Sequence, residues 1–190
     1  MIRSIMIVGV GGQGTLLASK ILGHVLVARG HDVKLSEVHG MAQRGGSVVT
    51  HCRYGEKVFS PIVDVGEADY ILAFEKLEAA RWAKYLKEGG TLIANSAEIW
   101  PMPVLTGAQA YPAEIVKKLG EKAKVIALDA LTLAQEAGSA KAVNVVLLGV
   151  LSKHSDIPEG EWLEAIEQNA PARFIEMNKT AFRLGREATR

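Results

Sequence analysis

The order of apolar and polar residues predicts a chain that begins as an alternation of buried strands and helices. Ile5 to Val8 is a continuous apolar run, which is typical of a parallel strand buried on both faces. Apolar residues then recur at helical spacing from Leu16 to Ala28, and Gly30 is placed to end that helix. A second, short strand is predicted at Val33 to Ser36.

The middle of the chain departs from a simple repeat of strand and helix. From Ser47 to Arg53, β-branched residues occur in an alternating pattern, which predicts a strand. Tyr54 to Lys57 predicts a hairpin turn into Val58 and Phe59. Two more buried strands are predicted at Ala68–Phe74 and Gly90–Ala94, with an amphipathic helix between them at Leu77–Lys87 that is closed by Gly89-Gly90. They are followed by a loop or extended segment at Pro101–Pro103, a short helix at Pro112–Leu119 and a last strand at Val125–Leu128.

Beyond Asp129 the pattern is helical. Val143 to Leu151 is apolar nearly all round, which predicts a buried helix, and Gly149 within it indicates close packing against a neighbour. Glu159–Asn169 and Ala172–Glu187 are amphipathic, and the second is predicted to bury Phe174, Met177, Ala181 and Phe182. The pattern predicts one α/β domain over residues 1–190. It is Rossmann-like, with a mostly parallel open sheet, flanking helices, a β-hairpin insertion and a helical C-terminal third.

The amino-acid composition argues against several classes of function and of binding site. Lys and Arg number 22 against 21 Asp and Glu, so no basic stripe favours nucleic acid. The longest apolar run, Val145 to Leu151, is far shorter than a membrane span, and the start of the chain lacks a signal-peptide core, so we expect a cytoplasmic protein. One cysteine, Cys52, excludes an internal disulfide or a four-cysteine cluster site, and His39, His51 and Cys52 match no metal-binding spacing.

A glycine motif follows the first predicted strand. Gly9, Gly11 and Gly14 have the spacing of a dinucleotide-binding turn, with Gly12 and Gln13 between them. Backbone N–H groups and the helix dipole at such a turn favour a phosphate. The alternative is that the glycines only allow a sharp turn and close packing of strand on helix.

The stretch from Glu37 to Gly46 combines several polar side chains with glycines at the end of the second strand. Its candidate binding residues are Glu37, His39, Gln43, Arg44, Gly45 and Gly46. Arg44 is suited to clamp a carboxylate or phosphate through two hydrogen bonds. A purely solvated loop is the alternative. Asn144, at the start of the apolar helix, is a buried amide that needs a partner and is predicted to cap or brace the glycine loop.

Four groups of residues together resemble one family of enzymes. The sequence is similar to the gamma subunit or domain of 2-oxoacid:ferredoxin oxidoreductases, and more narrowly to the beta subunit of indolepyruvate:ferredoxin oxidoreductase. The resemblance spans almost the whole chain. It is carried by Gly9 to Gly14, by the loop Glu37 to Val48, by Asn144 with Leu148-Gly149, and by the closing stretch Asn178 to Gly185.

The resemblance implies an oxidoreductase subunit that is inactive alone. The complete enzyme would oxidatively decarboxylate an aryl 2-oxoacid, form an acyl-coenzyme A and reduce ferredoxin. Thiamine diphosphate and iron–sulfur clusters would belong to a large partner subunit. This chain would help to bind coenzyme A and to complete the active site. Gly9, Gly11, Gly12, Gln13 and Gly14 would form the turn, and the residues that would face the ligand or the partner are His39, Gln43, Arg44, Gly45 and Gly46.

Two other interpretations remain open from the sequence. One is a free-standing nicotinamide or flavin oxidoreductase, in which Glu37 would hold the ribose, although no crossover helix follows it as such a site requires. The other is a non-catalytic nucleotide-binding or assembly module. In isolation, we expect the chain to form a homo-oligomer that covers an apolar patch.

Overall fold

The computed structural model describes residues 1–39 and 45–189, which form a three-layer α/β fold. Six strands make one sheet in the order β2-β3-β1-β4-β5-β6. The strands are β1 (Arg3–Val10), β2 (Asp32–His39), β3 (Ser47–Gly55), β4 (Ala68–Ala73), β5 (Leu86–Asn95) and β6 (Lys124–Leu128). Strands β1, β4, β5 and β6 run parallel, as the continuous apolar runs predict.

Helices cover both faces of this sheet. They are α1 (Thr15–Ala28), α2 (Lys76–Trp82), α3 (Met102–Leu105), α4 (Ile115–Gly120), α5 (Ala130–Glu136), α6 (Val143–Ser152), α7 (Glu159–Asn169) and α8 (Ile175–Glu187). Within the described residues, no helix is both long and apolar enough to cross a membrane. The Rossmann-like fold, its mostly parallel sheet and its helical C-terminal third are confirmed.

Strand β1 lies at the centre because both of its faces are apolar. Ile5 and Ile7 pack in the core under α1 and α5 to α8, whereas Met6 and Val8 pack in a second core beneath α2. Each apolar side chain of β1 is therefore removed from water. This burial of both faces is the property by which the run could be recognised from sequence.

The hairpin is displaced from its predicted position. Strand β3 pairs antiparallel with both β1 and β2, so the insertion is formed by β2 and β3, which are consecutive in the chain. The predicted turn at Tyr54–Lys57 is wrong, because β3 continues to Gly55, and Val58 and Phe59 form no strand. Instead, the Val58 N–H donates to Asp32 at the start of β2 (2.9 Å). Strand β2 also extends to His39, so Glu37 lies in a strand and not in a loop.

Three other expectations fail for reasons of packing. Helix α2 ends at Trp82, and the predicted Gly89-Gly90 stop lies inside β5, where a side chain at Gly90 would approach the Ala68 carbonyl oxygen of β4. The proline segment forms α3, with Pro103 in the first turn, where its missing N–H is tolerated. Phe174 is exposed and stacks under Arg173, whereas Ala181 and Phe182 are buried as predicted.

Helices α6 and α8 cross at a point where both lack side chains. A Cβ added at Gly149 would overlap the Phe182 carbonyl oxygen, and one added at Gly185 would overlap that of Val146. The backbones are therefore in direct contact, which confirms the close packing predicted from Gly149. Nearby, Trp162 of α7 packs against Phe182, with ring centroids 5.9 Å apart.

We expect Gly149→Ala to destabilise the fold by about 1–3 kcal/mol, because the added methyl group must push two backbones apart. Chemical denaturation monitored by circular dichroism measures this loss. Gly160→Ala in α7 is the matched control, since a Cβ at Gly160 meets nothing within 4 Å. Equal stability of the two variants would contradict the proposed helix contact.

Candidate functional site

The glycine motif forms a tight turn between β1 and α1. Gly12 and Gly14 have φ angles of 102° and 81°, which side chains rarely adopt. The Gly11 N–H donates to the Gly46 carbonyl oxygen at 2.9 Å, which ties the turn to the start of β3. The N-cap residue of α1, Gly14, has no side chain with which to cap the helix, and a helix start of this kind favours an anion.

Gln13 holds this turn to the neighbouring strand. Its Oε1 accepts from the Val10 N–H at 2.7 Å, and its Nε2 donates to the Phe74 carbonyl oxygen at 3.1 Å. A side chain at Gly9 would meet Gln13 Oε1 at 2.7 Å, so the fit depends on glycine there. Gln13 is predicted to form part of the turn, and its amide makes the internal hydrogen bonds that shape it.

Asn144 supports the turn from the side of the helical third. Its Nδ2 donates to the Gly14 carbonyl oxygen at 3.0 Å, and its Oδ1 accepts from the Val145 N–H at 2.9 Å. These bonds satisfy a buried amide and confirm that it braces the glycine loop. A Cβ at Gly14 would lie only 2.7 Å from Asn144 Nδ2.

A cleft of about 440 Å³ opens on the β2 side of the turn. Glu37 and His39 line it together with Gly11, Gly12 and Gly14, so the structure brings these predicted residues together. Glu37 Oε1 lies 3.3 Å from His39 Nδ1, and its Oε2 accepts from the Thr50 hydroxyl at 3.1 Å. Gly45, with φ 78°, and Gly46 lead into β3. Gln43 and Arg44 lie outside the described residues.

A larger cleft of about 710 Å³ opens on the other side of the same turn. Its apolar wall includes Leu17, Ile99 and Leu131, and Asn95 and Asn144 also line it. Strand β5 and helices α5 and α6 contribute this wall, although their residues are far from the glycine motif in sequence. The larger of the two clefts at the carboxyl edge of the sheet therefore could not be recognised from the sequence.

Two buried glutamates at the start of α2 were also missed, Glu75 at its N-cap and Glu78 in its first turn. Glu75 accepts from the N–H groups of Glu78 (2.9 Å) and Ile99 (3.2 Å) and from the Tyr111 hydroxyl. Glu78 accepts from the Ser47 hydroxyl at 2.5 Å and from Arg81 at 3.1 Å. For Glu75 the available signal was its position just after a buried strand, where parallel sheets place functional polar groups.

His51 and Cys52 have structural roles. His51 Nδ1 accepts from the Val63 N–H at 3.2 Å, and burial lowers the pKa of its imidazole. Burial also raises the pKa of the Cys52 thiol to about 12, so the thiolate form is suppressed. Across residues 1–39 and 45–189, no three His, Cys, Asp or Glu side chains are grouped to hold a metal ion.

The turn, its clefts and the fold can be compared with known proteins. A family model described as pyruvate ferredoxin/flavodoxin oxidoreductase matches residues 4–188. The chain belongs to this family. The resemblance seen in the sequence is thereby confirmed over nearly its whole length.

Two archaeal relatives match this family member from end to end. It is 42% identical to indolepyruvate oxidoreductase subunit IorB of Thermococcus kodakarensis, with 98% of this chain and 96% of the relative covered. It is 41% identical to the subunit of the same name in Pyrococcus horikoshii, with the same coverage.

Solved structures share the fold in two different contexts. A pyruvate oxidoreductase subunit from Thermotoga maritima has a TM-score of 0.75 at 24% identity, with 98% of this chain and 96% of that chain covered. The 2-oxoglutarate:ferredoxin oxidoreductase from Magnetococcus marinus, solved with 2-oxoglutarate, coenzyme A and succinyl-CoA bound, also has a TM-score of 0.75, at 18% identity. The match covers 98% of this chain but 30% of the Magnetococcus chain, so the fold is one part of a longer polypeptide there.

We expect Gly14→Ala to cost more stability than Gly30→Ala. Both glycines have φ 81°, so the backbone strain, about 1 kcal/mol or more, is common to both variants. Only at Gly14 does the new Cβ also press on a neighbour, Asn144 Nδ2, whereas Gly30 has nothing within 4 Å. Urea denaturation of the two variants measures the difference, and equal losses would show that Asn144 does not constrain the turn.

Proposed function

We propose that this chain is the small subunit of an indolepyruvate:ferredoxin oxidoreductase. The complete enzyme oxidatively decarboxylates an aryl 2-oxoacid, transfers the acyl group to coenzyme A and reduces ferredoxin. The observation that carries the proposal is the match, at 39–42% identity over at least 96% of this chain, to four subunits named for indolepyruvate oxidoreductase.

The proposal divides the chemistry between two chains. Thiamine diphosphate supplies the decarboxylation chemistry and iron–sulfur clusters carry the electrons, and we assign both to the large partner subunit. This chain has one cysteine, Cys52, and its thiol is buried in the sheet. It therefore has no set of thiolates with which to hold a cluster by itself.

The contribution of this chain is a binding surface at the carboxyl edge of the sheet. The start of α1, where the N-cap residue Gly14 has no side chain, favours a phosphate, and a Cβ at Gly12 would meet no atom of the described residues within 4 Å. Coenzyme A carries phosphates and the 2-oxoacid carries a carboxylate. We propose that the turn, with Glu37 and His39 beside it, orients one of these anions for the reaction on the partner.

The purified chain is expected to show no aryl-pyruvate-dependent reduction of a viologen dye. Activity is expected when the large subunit is added, and it should require both an aryl pyruvate and coenzyme A. Activity of the single chain, or a retained nicotinamide or flavin absorbance, would instead favour a free-standing oxidoreductase. Failure of any large subunit to bind would favour the non-catalytic module.

The role of Arg44 as an anion clamp stays a prediction from sequence. Loss of a charge-assisted contact worth about 1.5–3 kcal/mol in Arg44→Ala should lower kcat/KM for coenzyme A or the aryl pyruvate roughly 10- to 150-fold. Arg44→Lys should restore only part of the lost kcat/KM, because an ammonium group cannot form the bidentate hydrogen bonds of a guanidinium group. Steady-state kinetics of the assembled enzyme measure this. Unchanged KM for both ligands in a normally assembled Arg44→Ala enzyme would contradict the clamp.

A further inference from the structure

Several large apolar side chains are exposed together near the carboxyl edge of the sheet. In the segment after β5, Trp100, Met102 and Leu105 are 51%, 67% and 61% exposed. Ile99 in the same segment and Leu131 in the first turn of α5 are also exposed. We call these five residues the apolar platform. Leaving them in water costs hydrophobic free energy, and grouped exposure of this kind marks an interaction surface.

The backbone beneath the platform is held firmly. The Glu75 carboxylate, 1% exposed, accepts from the Ile99 N–H and from Tyr111, which lies at the far end of the same segment. The Lys76 N–H donates to the Ala97 carbonyl oxygen at 3.2 Å, and Lys76 Nζ lies 2.6 Å from Glu98. Burying a carboxylate is costly unless it is hydrogen-bonded, and here its bonds fix the segment that presents the platform.

The platform is continuous with the larger cleft. Ile99 and Leu131 line that cleft together with Gly12, Gly14 and Asn144 of the glycine turn. Met102 and Leu105 are three residues apart in α3, so they lie on one side of that helix. A protein that closes the cleft over a ligand therefore contacts Ile99 and Leu131, the two platform residues that line it, and Trp100 follows Ile99 directly in the chain.

We propose that the apolar platform is the docking surface for the large, thiamine-bearing subunit. This inference rests on the proposed function and specifies which face of the chain makes the contact. The position of the platform indicates the large subunit as its partner, because the platform borders the cleft at the edge of the sheet where the active site is to be completed. It also agrees with the longer Magnetococcus chain, in which a domain of this fold is covalently joined to further polypeptide.

Charge substitutions within the platform test the proposal. Purified Trp100→Glu and Leu105→Glu chains are titrated against the large subunit in a binding assay, after circular dichroism has shown that each variant is folded. Because buried tryptophans dominate interface energies, we expect Trp100→Glu to weaken binding roughly 10- to 30-fold or more. Trp100→Phe keeps most of the apolar area and should bind nearly as well as the parent chain.

The matched control is Phe59→Glu. Phe59 is 87% exposed and follows β3 close to the start of β2, which is the opposite edge of the sheet. The Phe59→Glu variant also replaces an exposed aromatic side chain with a charged one, and it should leave binding of the large subunit unchanged.

Each outcome separates the docking surface from the function. Weakened binding by both platform variants with an unchanged Phe59→Glu chain supports the proposal. Normal binding by both platform variants overturns the docking surface while the proposed function stands. Equal weakening by Phe59→Glu also overturns it. If the parent chain does not bind the large subunit, the proposed function fails and the docking surface fails with it. If the platform variants instead dissociate a dimer of this chain and bind the large subunit normally, a second copy is the occupant and the proposal is overturned.

Discussion

Three side-chain amides hold the carboxyl edge of the sheet together. Gln13 and Asn95 both donate to the Phe74 carbonyl oxygen, at 3.1 and 3.3 Å, and Asn144 donates to that of Gly14. Asn95 Oδ1 also accepts from the Ala130 N–H at the start of α5. Strand ends and helix starts meet here, and each leaves backbone groups that must be paired when buried. The amides supply these partners, and both clefts depend on the resulting arrangement.

Much of the fold could be predicted because its determinants are local. In β1, α6 and α7, the spacing of apolar residues within the element itself indicates which of its side chains are buried. The hairpin was misplaced because β2 pairs along its whole length with β3, and this pairing depends on contacts between strands that the local pattern around Tyr54 does not show. In the same way, the predicted helix stops short of Lys87 because the chain enters β5 at Leu86, which pairs with Ala68 of β4.

Only part of the candidate site could be predicted from the sequence. The glycine turn, Glu37 and His39 could be identified because they stand near one another along the chain and carry recognisable chemistry. Asn95, Glu75 and Leu131 reach the same edge from separate strands and helices, so only the topology brings them together. Residues that hold other residues in place, such as Glu75, leave a weak local pattern, because their partners are backbone groups elsewhere.

The meeting of α6 and α8 at Gly149 and Gly185 has a consequence for how this sequence can change. At most helix crossings, a larger residue on one side can be accommodated by a smaller one on the other. Here both sides already have no side chain, and the atoms in the way belong to the backbones of Phe182 and Val146. No compensating substitution exists, so the two positions cannot drift together. This backbone contact therefore fixes the position of α6 relative to α8.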